Sequence, residues 1–368
     1  MDTATEKVNL LGLPPGDLEQ FFSTLGQKPY RARQVMKWIH QRGVTNFDEM
    51  TDLAKTLREK LQQEAEIVLP DVRSKHESKD GTVKWLIAKG NGQAVETVFI
   101  PEPARGTLCI SSQVGCALDC AFCATGAQGF NRNLTSAEII AQVWYANQQL
   151  PRRSNGEWAV TNIVFMGMGE PLANYRKVVA AIQILLSDNA YGLSRRRVTV
   201  STSGIVPHIE KLGDECNVSL AVSLHAPNNE LRDRLVPINK LHPIEGLLQA
   251  CWDYAEKRAN RYVTFEYVML RGVNDSIAHA DQLAELLLGK PAKVNLIPFN
   301  PFDGTEFSRS AADNIAAFQN RLRKHGLVAT TRKTRGADID AACGQLAGKV
   351  SDRVQKKLGD KKIKVATA

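Results

Sequence analysis

No run of about 18 apolar residues occurs in this sequence, so no membrane-spanning helix is expected. The opening stretch, MDTATEKVNLLGLPPGDLEQ, lacks a basic segment followed by an apolar run. It therefore does not read as a secretory signal, and a cytoplasmic location is expected. Cysteine is scarce: seven in 368 residues, unevenly spaced, which excludes a disulfide scaffold. In such a chain, clustered cysteines read first as metal ligands or catalytic thiols. No GxGxxG opens the first β–α unit, which weighs against a dinucleotide-binding fold. With 43% hydrophobic and 23% charged residues the chain is neither mostly disordered nor fibrous. Its 368 residues suffice for two or three domains. The net charge of +8 and pI near 9.1 lean towards a polyanionic partner such as nucleic acid. Spread over the whole chain, the same charge also suits an ordinary basic enzyme.

Three textures follow one another. Residues 1–66 read as a helical accessory domain: PPGDLEQFFSTLG ending at Gly26, PYRARQVMKWIHQRG ending at Gly43, and TDLAKTLREKLQQEAE with Thr51 as its N-cap. The middle helix carries Trp38 among Arg31, Arg33 and Lys37, either as part of a packed module or as an RNA-gripping surface. Residues 67–101 alternate with period two around Asp80-Gly81 and Gly90-Asn91-Gly92, which predicts an antiparallel extension, a hairpin or meander. From residue 102 to 346, six strand-like stretches (TLCISSQ, TNIVFMG, RRVTVSTSG, VSLAVSLHAP, YVTFEYVML, KVNLIPFNP) alternate with helical ones. That pattern predicts an α/β fold with a parallel sheet, open or as a full or partial barrel. A barrel would put its chemistry at the C-terminal strand ends. Residues 347–368 are Lys-rich and read as a solvated, disordered tail.

The sharpest motif is CALDCAFC, with Cys116, Cys120 and Cys123 spaced C-x3-C-x2-C in a loop after the first of these strands. Structural zinc takes four protein ligands, most often as two C-x2-C pairs, and no second pair occurs. Three thiolates on a four-iron cubane would leave one iron open to a small molecule. A zinc loop and three packed core cysteines are the competing readings.

This spacing, with Phe122 at the aromatic position, resembles the radical S-adenosylmethionine (SAM) superfamily, which has its cysteine loop after the first strand of a (β/α) barrel. NIVFMGMGEP, at the end of the second strand, is similar to the superfamily's Gly-rich segment for the amino group of SAM. There Gly167 and Gly169 would let the backbone approach a ligand, and Glu170 would offer a carboxylate to an ammonium.

The likeness then narrows. ISSQVGCALDCAFCATGAQGFNRNLT, FMGMGEPLANY, STSGIVP, SLHAPNN, PFNP and RGADIDAACGQL occur in this order. Together they resemble the RlmN family of RNA adenine-C2 methyltransferases. The resemblance implies a partial (β/α)6 radical SAM barrel with an N-terminal helical RNA-binding domain. It implies one four-iron–four-sulfur (4Fe–4S) cluster on Cys116, Cys120 and Cys123. It also implies two SAM molecules per turnover, one as methyl donor and one as radical source.

By the same resemblance, Cys343 is methylated first, loses a hydrogen to a 5′-deoxyadenosyl radical, and adds as a methylene radical to adenine carbon 2. Cys109 then helps to release the base through a transient disulfide with Cys343, and Glu96 accepts a proton. The implied SAM pocket comprises Gly169, Glu170, Ser201, Ser223, Leu224, His225 and Asn300. The implied substrates are large-subunit (23S) ribosomal RNA at the peptidyl transferase centre and the adenosine beside the anticodon in some tRNAs. A flavodoxin-like electron donor, a monomer and no membrane partner are also expected. Cys216 and Cys251 read as structural; Arg195–Arg197 and Arg332–Arg335 read as phosphate contacts. The adenine carbon-8 methyltransferases, which share the cysteines and the radical chemistry, are the nearest alternative. An iron–sulfur RNA-binding redox sensor without catalysis is a more distant one.

Overall fold

The structure, a computed structural model, describes residues 7–89, 93–257 and 262–346. The basic tail expected over 347–368 and the expected turn at Gly90-Asn91-Gly92 lie outside these residues.

Helices α1 (Pro15–Thr24), α2 (Pro29–His40) and α3 (Lys55–Glu64) build the N-terminal layer. Strand β1 (Val8–Asn9) pairs in parallel with β2 (Ala65–Glu66) and ties its two ends together. Proline occupies the first turn of α1 and α2, where a missing N–H costs nothing. Gly26 and Gly43, at φ +73° and +71°, take the left-handed turns that follow those helices. Thr51 is not the cap of α3. That helix begins at Lys55 after Ala54, and Thr51 lies in the turn before it, its N–H bonded to the Glu49 carbonyl at 2.9 Å. Burying both Met50 and Leu53 doubles the chain back and delays the helix.

A meander follows: β3 (Asp71–Glu77), β4 (Val83–Lys89) and β5 (Gln93–Pro101). Next come β6 (Gly106–Cys109) and a small antiparallel pair, β7 (Gln113–Gly115) with β8 (Phe130–Asn133), around the one-turn helix α4 (Ala124–Ala127). Then β–α units alternate: α5 (Ser136–Gln149), β9 (Asn162–Phe165), α6 (Tyr175–Leu186), β10 (Val198–Thr202), α7 (Val206–Glu215), β11 (Ser219–Ser223). They continue through α8 (Asn229–Leu235), α9 (Ile244–Glu256), β12 (Val263–Met269), α10 (Ile277–Leu287), β13 (Ala292–Pro298), α11 (Ala312–Lys324) and β14 (Val328–Thr331).

All the long strands join one ten-stranded sheet. From β6 through β9 to β14 the neighbours run parallel in chain order. The meander continues antiparallel from the free side of β6. The sheet is thus a partial barrel whose outer strands are β14 and β3. The six expected parallel strands are all present. A seventh, β14, extends them; three of its four residues are exposed, so it has no apolar run to announce it.

The apolar core runs without a break from the N-terminal helices into the barrel. The two pack backbone to backbone at Gly12, where a Cβ would sit 2.2 Å from the Ala137 nitrogen. Trp144 Nε1 donates to the Ile39 carbonyl at 2.9 Å, and Ser136 Oγ to that of Gly12 at 2.7 Å. The buried His40 ring packs on Tyr191, and burial holds its pKa down at about 3. Helix α5 starts with a capping box of Thr135 and Glu138, and Arg132 grips the Glu138 carboxylate with two bonds of 2.9 Å. No helix among the described residues is long and apolar enough to cross a membrane.

Candidate active site

The loop bearing Cys116, Cys120 and Cys123 runs from β7 into α4, at the C-terminal end of β6. The backbone builds it tightly. Cys116 N–H donates to the Gly129 carbonyl at 2.9 Å and Cys123 N–H to that of Cys120 at 3.1 Å. Ala121 N–H reaches the carbonyl of Leu235, at the end of α8, at 3.1 Å. Burial pushes all three thiols up in pKa, Cys120 to about 12, and neighbouring cysteines add to the rise, Cys343 being the one beside Cys123. Such thiols stay neutral until a cation binds them. Among the described residues, no three His, Cys, Asp or Glu side chains converge closely enough to hold a single metal ion. A cluster of several irons bridges thiols spaced more widely than that.

A buried cation stands beside this loop. Arg232 of α8 is wholly buried and donates to four neutral acceptors: the carbonyls of Ser203 (2.7 Å), Ser223 (3.1 Å) and Leu224 (3.1 Å), and Asn239 Oδ1 (2.8 Å). Among the described residues it forms no ion pair. Cys120 Sγ lies 4.0 Å from Ser203 Oγ, on the residue whose carbonyl accepts from the Arg232 guanidinium. Buried charges are ordinarily paired, and an iron–sulfur cluster carried on thiolates would supply the missing anion. The donor set and this cation therefore fit a cubane.

The Gly-rich segment after β9 zips along Ile110–Gln113. Gly167 N–H donates to the Ile110 carbonyl at 3.1 Å, Met168 N–H to Ser111 Oγ at 2.9 Å and Glu170 N–H to Gln113 Oε1 at 2.8 Å. A Cβ on Gly167 would lie 2.7 Å from the Ile110 carbonyl, and one on Gly169 would lie 2.4 Å from Gln113 Cβ. These glycines thus admit the neighbouring chain, and Gly169 at φ +96° also makes the turn. The carboxylate of Glu170 is buried and accepts from Leu172 N–H (3.0 Å) and Ser203 N–H (2.8 Å). It knits β9 to β10 before it faces any ligand.

Two cavities meet at this end of the sheet. The smaller, about 150 Å³, is lined by Cys123, Gly169, Glu170, Ser201, Ser223, His225, Asn300 and Cys343. Leu224 is fully buried behind it and does not line it. Phe122 packs edge-on against His225, 4.5 Å between ring centres. Val268 N–H donates to His225 Nδ1 at 3.0 Å. Burial first, then Arg232, holds that imidazole at a pKa of about 3, so it is neutral with its proton on Nε2.

The larger cavity, about 520 Å³, fills the barrel lumen and is lined by both Cys109 and Cys343. Cys109 ends β6, its thiol raised to about 12 by burial and then by Cys343, against the pull of Arg332. Arg332 and Glu266 line both cavities. Arg332 therefore turns inward to the thiols and not outward to phosphate, a departure from the expectation for that cluster. Arg335 pairs with Asp80 at 3.8 Å. Arg195–Arg197 lie exposed before β10, at the opposite rim from the cysteine loop. Glu96 lines neither cavity; its carboxylate pairs with Lys84 at 2.9 Å. Cys216 and Cys251 sit in the apolar core.

Arg232, Glu266 and Lys84 are the polar groups that sequence reasoning missed. In NELRDRL an arginine looks like surface charge, and only the alternation of β12 hinted that Glu266 faces inward.

Comparison with known proteins agrees with this geometry. Residues 8–67 match the family model of the ribosomal RNA large subunit methyltransferase N-terminal domain, and residues 110–284 match that of the radical SAM superfamily. A radical SAM methyltransferase from Sphaerobacter thermophilus is 45% identical, with a TM-score of 0.85 over 92% of this chain and 99% of that one. More distant similarity extends to a domain of a pyruvate-formate lyase-activating enzyme from Bacteroides vulgatus (20% identity, TM-score 0.36, 47% of this chain and 99% of that one). It also extends to SuiB of Streptococcus suis bound to S-adenosylmethionine (11% identity, TM-score 0.45, 61% and 50%). With an accessory module at one end, a radical SAM barrel after it and a near-full-length methyltransferase relative, the chain belongs to the RlmN family of radical SAM ribosomal RNA methyltransferases.

Proposed function

We propose that the protein methylates carbon 2 of an adenosine in large-subunit ribosomal RNA, and of the adenosine beside the anticodon in some tRNAs, through a carbon carried on Cys343. One observation supports this above the rest. Cys343 shares one cavity with Cys123 of the cysteine loop and the adjoining cavity with Cys109. A residue so placed can meet a methyl donor, a base and a second thiol in turn.

Adenine carbon 2 is electron-poor and does not attack a sulfonium methyl by simple displacement. Held by Cys116, Cys120 and Cys123, a 4Fe–4S cluster with SAM would supply the radical chemistry this carbon requires. The chain's own residues do the rest. The backbone at Gly169 and the ends of β10, β11 and β13, with Ser201, Ser223, His225 and Asn300, shape the SAM pocket. Asn300 also donates to the Cys343 carbonyl at 3.3 Å and takes a bond of 2.6 Å from Arg309, which fixes Cys343 at the pocket mouth. The Cys343 sulfur accepts the first methyl and binds the base covalently through that carbon. The adduct loses its carbon-2 proton to Glu96 and one electron, which the cluster would take up; the Cys109 thiolate then attacks the Cys343 sulfur to form a disulfide, and the released carbon takes up a proton to become the methyl group.

Each cycle uses two SAM molecules, and a flavodoxin-type donor and the reduction of that disulfide complete it. The N-terminal helices, with Arg42 over the Trp38 ring at 3.9 Å and Arg31 over Tyr30 at 4.7 Å, present cationic and aromatic groups suited to RNA. The cycle asks nothing of a second copy of the chain, which fits a cytoplasmic monomer.

The test is anaerobic reconstitution with iron and sulfide, then incubation with SAM, reductant and ribosomal RNA fragments, with the base identified by mass spectrometry. 2-Methyladenosine is the expected product. 8-Methyladenosine would move the protein to the carbon-8 activity, and SAM cleavage with no methylated base would overturn the assignment.

A further inference from the structure

The segment Arg332–Leu346, which carries Cys343, has only one 3-10 turn, Ala337–Ile339, to give it shape. Its position is set by what it touches. On the side of the cysteine loop, Ala124 N–H donates to the Gly344 carbonyl at 2.9 Å and Thr125 Oγ1 to that of Leu346 at 2.6 Å. The other side is held by a part of the chain some 260 residues earlier, the β3–β4 turn and the start of β4.

Ser78 Oγ donates to Asp338 Oδ1 at 2.6 Å, and Lys79 N–H to Asp338 Oδ2 at 3.3 Å. In return Gly336 N–H donates to Asp80 Oδ2 at 3.1 Å. Lys84, almost wholly buried, donates to the Asp340 carbonyl at 3.2 Å while its ammonium pairs with Glu96 at 2.9 Å. Gly336 is seated so closely that a Cβ there would lie 2.9 Å from Thr82 Cγ2. Gly336 and Asp340 both take left-handed backbone, φ +59° and +50°, so the segment is bent at the two points where the turn grips it.

We propose that the β3–β4 turn, through Ser78, Asp80 and Asp338, is a latch that positions Cys343, and that Lys84 couples this latch to Glu96. The inference deepens the reading of Cys343 as carbon carrier and rests on it. A sulfur that must meet three partners in succession needs both a defined seat and the freedom to leave it. A few polar bonds on an irregular segment provide that. The buried apolar side chains of the segment, Ala341, Ala342 and Leu346, lie on the Cys343 side, and the polar bonds hold its other end. The antiparallel extension of the sheet thereby gains a function: it carries the latch, and Lys84 and Glu96, diagonal neighbours on β4 and β5, transmit its state.

The test uses the full-length, cluster-loaded protein. Amide hydrogen exchange is followed over residues 332–346, together with the rate of Cys343 alkylation by iodoacetamide at fixed pH. Asp338→Asn, at an exposed site that does not threaten folding, loses the charge that holds two bonds. Both rates should rise by roughly 5–30-fold, as expected for one or two weakened bonds. Lys84→Met should raise them as well, and Lys84→Arg, which keeps the charge on Glu96, should bring them most of the way back. Wild-type exchange and alkylation in both Asp338→Asn and Lys84→Met, with iron content intact, would overturn the latch. Neither readout depends on RNA or product, so a Cys343 that carries no methyl would be seen in the product assay and not here.

Discussion

Arg232→Met tests the reading of the buried cation. The substitution keeps most of the side-chain volume and removes all of its donors. Four acceptors are left dry: the carbonyls of Ser203, Ser223 and Leu224, and Asn239 Oδ1. Each unpaired buried acceptor costs about 1–3 kcal/mol. Against this stands the relief of a buried charge. Burial lowers the Arg232 pKa from 12.5 to about 10, and a difference of that size corresponds to roughly 3 kcal/mol. The lost bonds, about 4–12 kcal/mol in total, outweigh the relief, so a net loss of about 1–9 kcal/mol is expected. That is a large share of a typical folding stability of about 5–15 kcal/mol. Urea unfolding of the purified variant, with circular dichroism as the probe, measures it. A change within about 0.5 kcal/mol, as at an ordinary surface site, would refute the reasoning. Arg232→Lys, which keeps the charge and some of the donors, should fall between.

Gly169→Ala places a methyl 2.4 Å from Gln113 Cβ at φ +96°. SAM affinity should fall by roughly 5–30-fold by equilibrium dialysis, matching the roughly 1–2 kcal/mol that left-handed backbone alone costs a residue with a Cβ; an unchanged Kd would contradict a role for this turn in shaping the pocket. Cys116→Ala, Cys120→Ala and Cys123→Ala should each lose the cluster's iron and its visible absorption, and full iron in any one would contradict their role. His40, neutral in the fold with a pKa near 3 and ordinarily near 6.5, takes up its proton more readily when unfolded. Stability should therefore be fully present above about pH 6.5 and fall as the pH drops towards 3. His40→Phe should show a shallower fall between pH 6.5 and 5, and identical slopes would contradict the assignment.

The parallel strands were legible because strands buried on both faces leave short apolar runs, as in TNIVFMG and YVTFEYVML. Strand β14 was not, since its backbone pairing with β13 and not its side chains makes it a strand. The cysteine loop was legible by spacing. Cys109 and Cys343 were paired only through the family resemblance; 234 residues separate them, and no local rule spans that distance. Gly167 and Gly169 were read as letting the backbone approach a ligand; in the structure the close approach they permit is to the chain's own Ile110 and Gln113. Arg232 and Lys84 escaped because burial of a charge is decided by elements far off in sequence. Arg332 was misjudged for the same reason: a basic run reads as surface until the strand that aims its first residue inward is known.

The central claim is that the transferred carbon passes through Cys343 and that Cys109 frees the base. The most direct measurement uses Cys109→Ala with SAM, reductant and the RNA substrate, run on a denaturing gel. Methylation of Cys343 and attachment to the base need no second thiol, so a protein–RNA species should accumulate, sensitive to both ribonuclease and protease and absent from Cys109→Ala/Cys343→Ala. Normal release of methylated RNA by Cys109→Ala, with no such species, would contradict the claim and leave Cys109 a core cysteine.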